Sequence, residues 1–433
     1  MPLIPLIAAL AVHSVLATSP EASGDEPVTL VRCGHLIAVP GQDPLTNATV
    51  VIKGDRIDSV VAGFDLKVEG AIEVDFKDAW VMPGFIDCHV HMTMFFDQSV
   101  RPRFTTESSE FVAIRSTQYA KVTVESGFTT VRDLGAGDTN AIFALREAIN
   151  RGIIVGPRIV AAGHAIAVTG GHGDGTLGYR PGLFPEQTPV NGIADGPDEC
   201  AKAVRAQIKA GADCIKLTAT GGVLSTSTAG LAKHFSDEEL KTIVATAHAM
   251  NRKVAAHAHG VDGINAAIRA GVDSIEHGTF LGDDSVTLMK EHGTYHVPTL
   301  LAAQTVAENA EKPGYYLPMV AAKAKIVGPI AKEMFKRSHE AGVKIAFGTD
   351  TGVSEHGENA REFVLMVELG MKPMDAIRSA TVVASELLGL EKEIGTIEAG
   401  KAADLVAVKK NPLENIAALR EVDAVIKGGV KVR

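Results

Sequence analysis

Neither a disulfide framework nor a thiolate metal site is open to this chain, because its four cysteines, Cys33, Cys88, Cys200 and Cys214, lie far apart and form no CxxC pair. They read as buried free thiols. A basic field is missing as well. The formal net charge is −10 over 433 residues, and no dense Lys/Arg stripe reverses it locally. A nucleic-acid backbone would find nothing to hold it, so no nucleic-acid partner is expected. No GxGxxG follows the first apolar run, which removes the commonest sign of an open dinucleotide-binding sheet. Aromatic residues make up only 5% of the chain, and nothing in their spacing marks which of them would face a ligand. No segment is long and apolar enough to span a bilayer, so no membrane partner is expected. The short apolar run within residues 1–23, MPLIPLIAALAVHSVLATSPEAS, ends in small residues at Val15 and Ala17 before a polar stretch. It reads as a secretory signal peptide, which would make the protein periplasmic or secreted; otherwise it would be cytoplasmic.

Histidine, by contrast, is plentiful. There are fifteen, many inside short apolar segments where an unpartnered imidazole would cost desolvation energy. These segments belong to an alternation of apolar runs and amphipathic stretches between residues 80 and 390, the pattern of successive βα units. Eight runs can be counted: AWVMPGFIDCHVHM, FTTVRDLG, PRIVAAGH, CIKLTATGG, KVAAHAHG, DSIEHGT, TYHVPTLL and VKIAFGTDTG. Between them lie helical stretches such as SDEELKTIVATAHAMN, with Ser236 placed to cap it. Eight such repeats over roughly 300 residues fit a closed (β/α)8 TIM barrel better than an open sheet. Residues 27–79 and 391–433 read instead as short strands with turns, which together would form one small β-sandwich domain built from both chain ends.

Polar residues gather at the C-terminal ends of these runs, where barrel enzymes place their chemistry. His89 and His91 end the first run, Lys216 lies in the fourth, His257 and His259 end the fifth, His277 the sixth and Asp350 the eighth. Alternate residues on a strand share a face, so His89 and His91 can address a single ion. Taken alone, each residue has a plainer reading: a histidine hydrogen-bonded in the core, a lysine that snorkels, an aspartate that caps the next helix. Packing alone does not readily place all of them at one end of one barrel. Lys216 discriminates most, because a protonated ammonium among cations is repulsive. A neutral amine there can take up CO2 and become a carbamate whose two oxygens bridge two divalent cations.

The motifs HVH, CIKLTATGG, AHAHG, IEHGT and GTD, with the C-terminal IGTIEAGKAADLVAV, resemble the amidohydrolase superfamily. TGGHGD, GGVLS, EHGENA and MKPMDAIRSAT are similar to its prolidase-like dipeptidase branch, which also contains ochratoxin-hydrolysing amidohydrolases. The likeness runs over nearly the whole chain after residue 27. It implies that His89, His91 and Asp350 hold one ion and His257 and His277 the other, most simply both Zn2+, with carboxylated Lys216 between them and His259 as a substrate contact. It further implies hydrolysis of an amide between an acyl group and an amino acid with a free carboxylate, and assembly as a homo-oligomer. Two cations lower the pKa of water toward neutrality, and Asp350 would take that water's proton and return it to the leaving nitrogen.

The long glycine-rich segment GHAIAVTGGHGDGTLGYRPG after the third run is expected to line the pocket. In it, His172 would bond the carbonyl or the developing oxyanion, and Tyr179 or Arg180 would hold a substrate carboxylate. His356 falls near the same mouth without an assigned role. Two rivals stay open: another reaction on the same scaffold, such as cyclic-amide hydrolysis or deamination, and a barrel that binds its ligand without turnover. Lys216 weighs against the first, since one-metal members need no bridging carbamate.

Overall fold

The computed structural model describes residues 27–135, 137–226 and 230–433. The expected signal peptide over residues 1–23 lies outside these described residues. The chain is α/β. Seven strands from the two chain ends form one hydrogen-bonded sheet: β1 (Val28–Leu36), β2 (Leu45–Lys53), β3 (Arg56–Ala62) and β4 (Ile72–Pro83) come from the front of the chain, and β12 (Leu405–Val408), β13 (Ala424–Lys427) and β14 (Val430–Lys431) from the back. Their order is β14-β13-β12-β4-β1-β2-β3. Alternation puts Leu405 and Ala407 of β12 in a core with Val31, Val50 and Ile52, while Val406 and Val408 face the rest of the molecule.

The run Ala79–Met92, expected as one strand, is two. Its first part closes β4 in the chain-end sheet, and β5 (Phe85–Val90) begins the central array. Pro83 withholds a ladder donor, and Gly84 lies so close to Thr129 that an added Cβ would come within 2.2 Å of its hydroxyl, so the chain turns where no side chain fits.

The central strands are parallel. β5 pairs with β6 (Phe128–Asp133), and β6 with β7 (Arg158–Ala161). A second set runs through β8 (Cys214–Thr218), β9 (Lys253–Ala258), β10 (Ser274–His277) and β11 (Tyr295–Val297). Backbone hydrogen bonds join the two sets: Asp213 N to Ala161 O and Thr218 N to Ile166 O at one seam, and Ala346 N to His296 O followed by Cys88 N to Phe347 O at the other. The path of hydrogen bonds thus returns to β5.

The eighth run, residues 343–352, makes only isolated bridges at Ile345 and Thr351 rather than a regular strand. Thr349 N donates to the Asp87 carboxylate instead of a strand carbonyl, and Asp350 turns left-handed with φ +58°. The segment is held by packing instead. Phe347 sits 4.4 Å from Phe363 and 5.4 Å from Phe128 between ring centroids, contacts that add about 0.5–1.5 kcal/mol each beyond area burial.

Outer helices cover this array. The helix Asp237–Ala249 opens on a capping box made by Ser236 and Glu239, as its sequence leads one to expect. A helix pair, Leu300–Ala310 and Pro318–Glu340, packs through Ala302, Val306, Ala324 and Val327 against Val223 and Val353, just beyond the strand ends. All four cysteines are free and buried. Among the described residues, no helix is long and apolar enough to cross a membrane.

Candidate active site

Each strand end delivers its residue to one cluster. Asp350 Oδ1 lies 3.1 Å from His91 Nε2 and 3.6 Å from His89 Nε2. The ring centroids of His89 and His277 are 5.1 Å apart, those of His277 and His257 4.7 Å, and those of His257 and His259 4.7 Å. Two triads have ligand atoms within 4.8 Å of one another: His89, His277 and Asp350; and His257, His259 and His277. Lys216, 3% exposed, is close enough for its charge to act on His89, His257, His277 and Asp350.

The imidazoles are anchored from behind. His89 Nδ1 donates to Glu276 Oε2 at 2.9 Å and His91 Nδ1 to the carbonyl of Gly135 at 2.8 Å. Both partners are acceptors, so a proton sits on Nδ1 and each Nε2 is the atom turned to the cluster; although burial opposes it, Asp350 raises the pKa of His91. His277 Nδ1 meets Thr299 Oγ1 at 2.7 Å, His259 Nδ1 meets Thr279 Oγ1 at 2.8 Å, and His257 Nε2 faces the Gly221 carbonyl at 3.4 Å. Every one of the five rings has one nitrogen engaged and one left for the site.

Electrostatics point the same way. Burial, helped by the neighbouring cations, holds His89 down to about 4 and keeps His257 and His277 well below the ordinary imidazole value. These rings are neutral, as ligation requires. Burial also presses on Asp350, but the contact with His91 and the charge of Lys216 outweigh it and hold the carboxyl below its ordinary value. Burial lowers Lys216 to about 8, toward the free-amine form.

The residues fit a divalent cation by an observation independent of motif. Asp350 Oδ1 is buried, ionised and without an aligned hydrogen-bond donor. A buried anionic oxygen set against two imidazole nitrogens with no aligned donor of its own is an arrangement that a divalent cation completes. The backbone carries a cost of its own, since His277 (φ +69°), Thr299 (φ +48°) and Asp350 (φ +58°) are left-handed non-glycine residues at strand ends. Such conformations cost about 1–3 kcal/mol each.

Of the residues expected on the substrate side, His172 arrives at the cluster. Its ring lies 4.3 Å from that of His257, and its Nδ1 is buried without a partner. Tyr179 and Arg180 sit elsewhere, beside a separate depression of about 290 Å3 lined also by Thr169, Asp174, Phe184 and Glu186, and by none of the cluster histidines. The Tyr179 hydroxyl is spent on the Arg101 carbonyl, 2.9 Å away. His356 stacks on Tyr119 and its Nε2 meets the Met94 carbonyl at 3.0 Å.

Sequence reasoning missed the supports. Glu276 binds His89 on one side and Arg132 on the other, at 3.0 Å, and Arg132 Nε donates to the Cys88 carbonyl. Against its burial, the charge of Arg132, the hydrogen bond from His89 and the charge of Lys216 hold Glu276 at about 2. Asp87 accepts from His89 N, Thr349 N, Thr349 Oγ1 and Asn359 Nδ2, tying the His89 strand to the Asp350 segment. Each of these is a charged residue inside an apolar run, the same desolvation signal that singled out the histidines.

The comparisons with known proteins agree with this geometry. The model of the amidohydrolase family matches residues 80–432. The ochratoxinase of Aspergillus niger is 34% identical, over 96% of this chain and 88% of that protein. A crystal structure of a Xaa-Pro dipeptidase with methionine bound in its active site superposes with a TM-score of 0.89 at 44% identity, covering 93% of this chain and 99% of the other. A prolidase crystallised with N-methylphosphonate-L-proline follows at a TM-score of 0.85 and 34% identity, covering 94% of this chain and 99% of that one. With its HVH, lysine, histidine and aspartate motifs gathered at one set of strand ends, this chain belongs to the amidohydrolase family, in the branch of ochratoxinase and the prolidase-like dipeptidases.

Proposed function

We propose that this hydrolase cleaves the amide bond between an acyl group and an amino acid bearing a free carboxylate, in a dipeptide, an N-acyl amino acid or ochratoxin A, which would yield ochratoxin alpha and phenylalanine. The observation that carries the reading is the meeting of His89, His91, His257, His277, Lys216 and Asp350, with each imidazole anchored from behind and open toward the others. We read the returning path of strand hydrogen bonds as a (β/α)8 barrel, and the chain-end sheet as a β-sandwich. In that sheet β3 folds back so that Ile57 N bonds the Lys401 carbonyl and Ala403 N the Asp55 carbonyl.

His89, His91 and Asp350 would hold one divalent cation and His257 and His277 a second, with Lys216 carboxylated between them. The pair, Zn2+ in the simplest case, supplies activation of water and polarisation of the substrate carbonyl. The protein's own groups do the rest. Asp350, kept ionised in its buried position, would accept the proton of the attacking water on the carboxylate oxygen that the cation leaves free and pass it to the leaving nitrogen. His172, neutral and against His257, donates a hydrogen bond to the carbonyl oxygen as charge develops there. Glu276 and Gly135 keep the proton on Nδ1 of His89 and His91, so that neither ring can turn its lone pair away.

The test joins elemental analysis of the purified protein to a hydrolysis screen over Xaa-Pro dipeptides, N-acyl amino acids and ochratoxin A. About two metal equivalents per chain, and turnover that chelation abolishes and Zn2+ restores, are expected. A metal-free folded protein, or turnover indifferent to chelation, would sink the reading.

A further inference from the structure

We propose that Lys323 is the specificity residue that recognises the free carboxylate on the amino-acid side of the substrate; the inference deepens the reading above and rests on it.

Lys323 lies on the helix Pro318–Glu340, outside every motif of the metal cluster. Its helix is seated over the strand ends, packed through Ala324 and Val327 on Val223, which follows the Lys216 strand, and on Val353, which follows Asp350. The side chain is half-buried and reaches the loop after β8, where Nζ donates to the carbonyls of Gly222 at 2.7 Å and Ser225 at 2.8 Å. Gly222 in turn lies flat against His172, and an added Cβ there would come within 2.2 Å of the imidazole. The ammonium is therefore held one residue away from the ring proposed to face the scissile carbonyl. Its charge acts on both His172 and His259.

Two carbonyls use two of the three ammonium protons. Among the described residues, no carboxylate pairs with Lys323, and burial lowers its pKa with no acid to offset it. A half-buried cation without a counter-ion is an unfinished ion pair, and an arriving carboxylate completes it with a charge-assisted hydrogen bond. The chemistry of the substrate puts such a group in reach, because the carboxylate of the released amino acid is only two bonds from the scissile nitrogen. Tyr179 and Arg180 stand at the separate depression, whereas Lys323, among the described residues, is a cation outside the metal cluster whose charge reaches His172. The plainer alternative is a strut that merely ties the helix to the loop. It makes a different prediction, since a loosened loop would weaken every substrate equally.

The experiment compares N-acetyl-L-methionine with N-acetyl-L-methioninamide as substrates for the metal-loaded wild type, Lys323→Met and Lys323→Arg. Loss of one hydrogen bond to a charged group corresponds to about 10–100-fold. Lys323→Met should raise KM for the acid by that factor, leave kcat within about threefold, and leave the carboxamide untouched; Lys323→Arg should recover part of the loss. An equal fall on acid and carboxamide overturns the proposal in favour of the strut. A binding readout runs beside it: L-methionine should raise the melting temperature of the wild type more than L-methioninamide does, and Lys323→Met should erase that difference. Persistence of the difference in Lys323→Met overturns the proposal. Should the metal-loaded wild type cleave neither compound nor any Xaa-Pro dipeptide or ochratoxin A, while the Lys323-dependent binding difference remains, the amide-hydrolase reading falls and the carboxylate site stands.

Discussion

In the chain-end sheet, Arg32 is buried and every arm of its guanidinium has an acceptor: Nε and Nη2 bind Glu73 at 2.8 and 2.7 Å, Nη1 the Thr49 hydroxyl at 3.0 Å, and Nη2 also the Leu66 carbonyl at 2.6 Å. At the strand ends of the central array the burial is as deep, yet Asp350 Oδ1 and His172 Nδ1 have no aligned hydrogen-bond partner, and three non-glycine residues hold left-handed backbone. The two regions obey the same physics with opposite ends in view. One completes its hydrogen bonds within the chain and gains stability. The other leaves charge and lone pairs open, at a cost recovered only when something binds there.

Asp350→Asn probes that difference most strongly. Asparagine adopts the left-handed conformation that position 350 requires, and it removes only the charge. Hydrolysis should fall by about 10²–10⁴-fold, the usual worth of a positioned proton acceptor. The melting temperature of the metal-free protein should fall, because His91 and Lys216 hold the carboxylate below its ordinary pKa against burial, so the ionised form is the one the fold favours. A variant that keeps most of its rate would remove Asp350 from proton transfer, and one that melts higher would mean that burial of the open charge outweighs its neighbours after all.

Glu276→Gln strikes the boundary between the two kinds of site, since Glu276 serves the fold through Arg132 and the cluster through His89. Metal affinity should drop by about 10–100-fold. Stability should drop too, by about 3–5 kcal/mol, because Arg132 is left as a buried cation without its partner. The double variant Arg132→Met with Glu276→Gln should regain stability but not metal affinity. Titration of the metal with a competing chelator reads the first quantity, and denaturant unfolding of the metal-free chain the second. Unchanged metal affinity would reduce Glu276 to a structural role.

This division also explains what could be read in advance. His89, His91, Lys216, His257, His277 and Asp350 announce themselves as costly residues in apolar runs at regular spacing, so the desolvation argument finds them. The seven-stranded sheet is legible for another reason, since short runs rich in β-branched residues, such as those of β1, β2 and β12, are set off by turn residues at both chain ends. Tyr179 and Arg180 were placed by loop composition alone, and composition does not say which way a long loop folds. Lys323 is hidden because a lysine on an amphipathic helix looks like any solvated one; only the tertiary contact with Gly222 and Ser225 distinguishes it. The irregular eighth segment escaped as well, since its strand ladder is replaced by side-chain bonds from Asp87, a residue 262 positions away.

Arg32→Met tests the sheet side, with a smaller effect. Glu73 is half exposed and can be solvated once its partner goes, so the loss should be about 1 kcal/mol of stability. The kcat/KM on any substrate should not change. A fall in turnover at full metal occupancy would show that the sheet shapes the site, and the contrast between the regions would lose its sharpness.

The finest distinction concerns Glu362, which borders the cluster without joining it. Thr299 stands where a helix N-cap hydroxyl would serve Leu300–Ala310, but its Oγ1 is turned to His277. Glu362 takes over, accepting from Leu300 N and Leu301 N at 2.9 and 2.6 Å. Burial pushes its carboxyl up to about 8 although both amides oppose this. The raised value fixes the sign of a pH effect: above the ordinary carboxylate pKa, near 4.5, the unfolded chain has released a proton that the folded chain keeps until about pH 8. This group's contribution to stability is therefore complete at low pH and declines as the pH rises through that window. Glu362→Gln cannot ionise, so its melting temperature should gain on the wild type between pH 5 and pH 8. The cluster histidines titrate alike in both proteins and cancel in the difference. A constant gap between the two melting curves across that range would mean that the helix amides hold Glu362 ionised throughout, and the diverted Thr299 cap would then carry no cost in protonation.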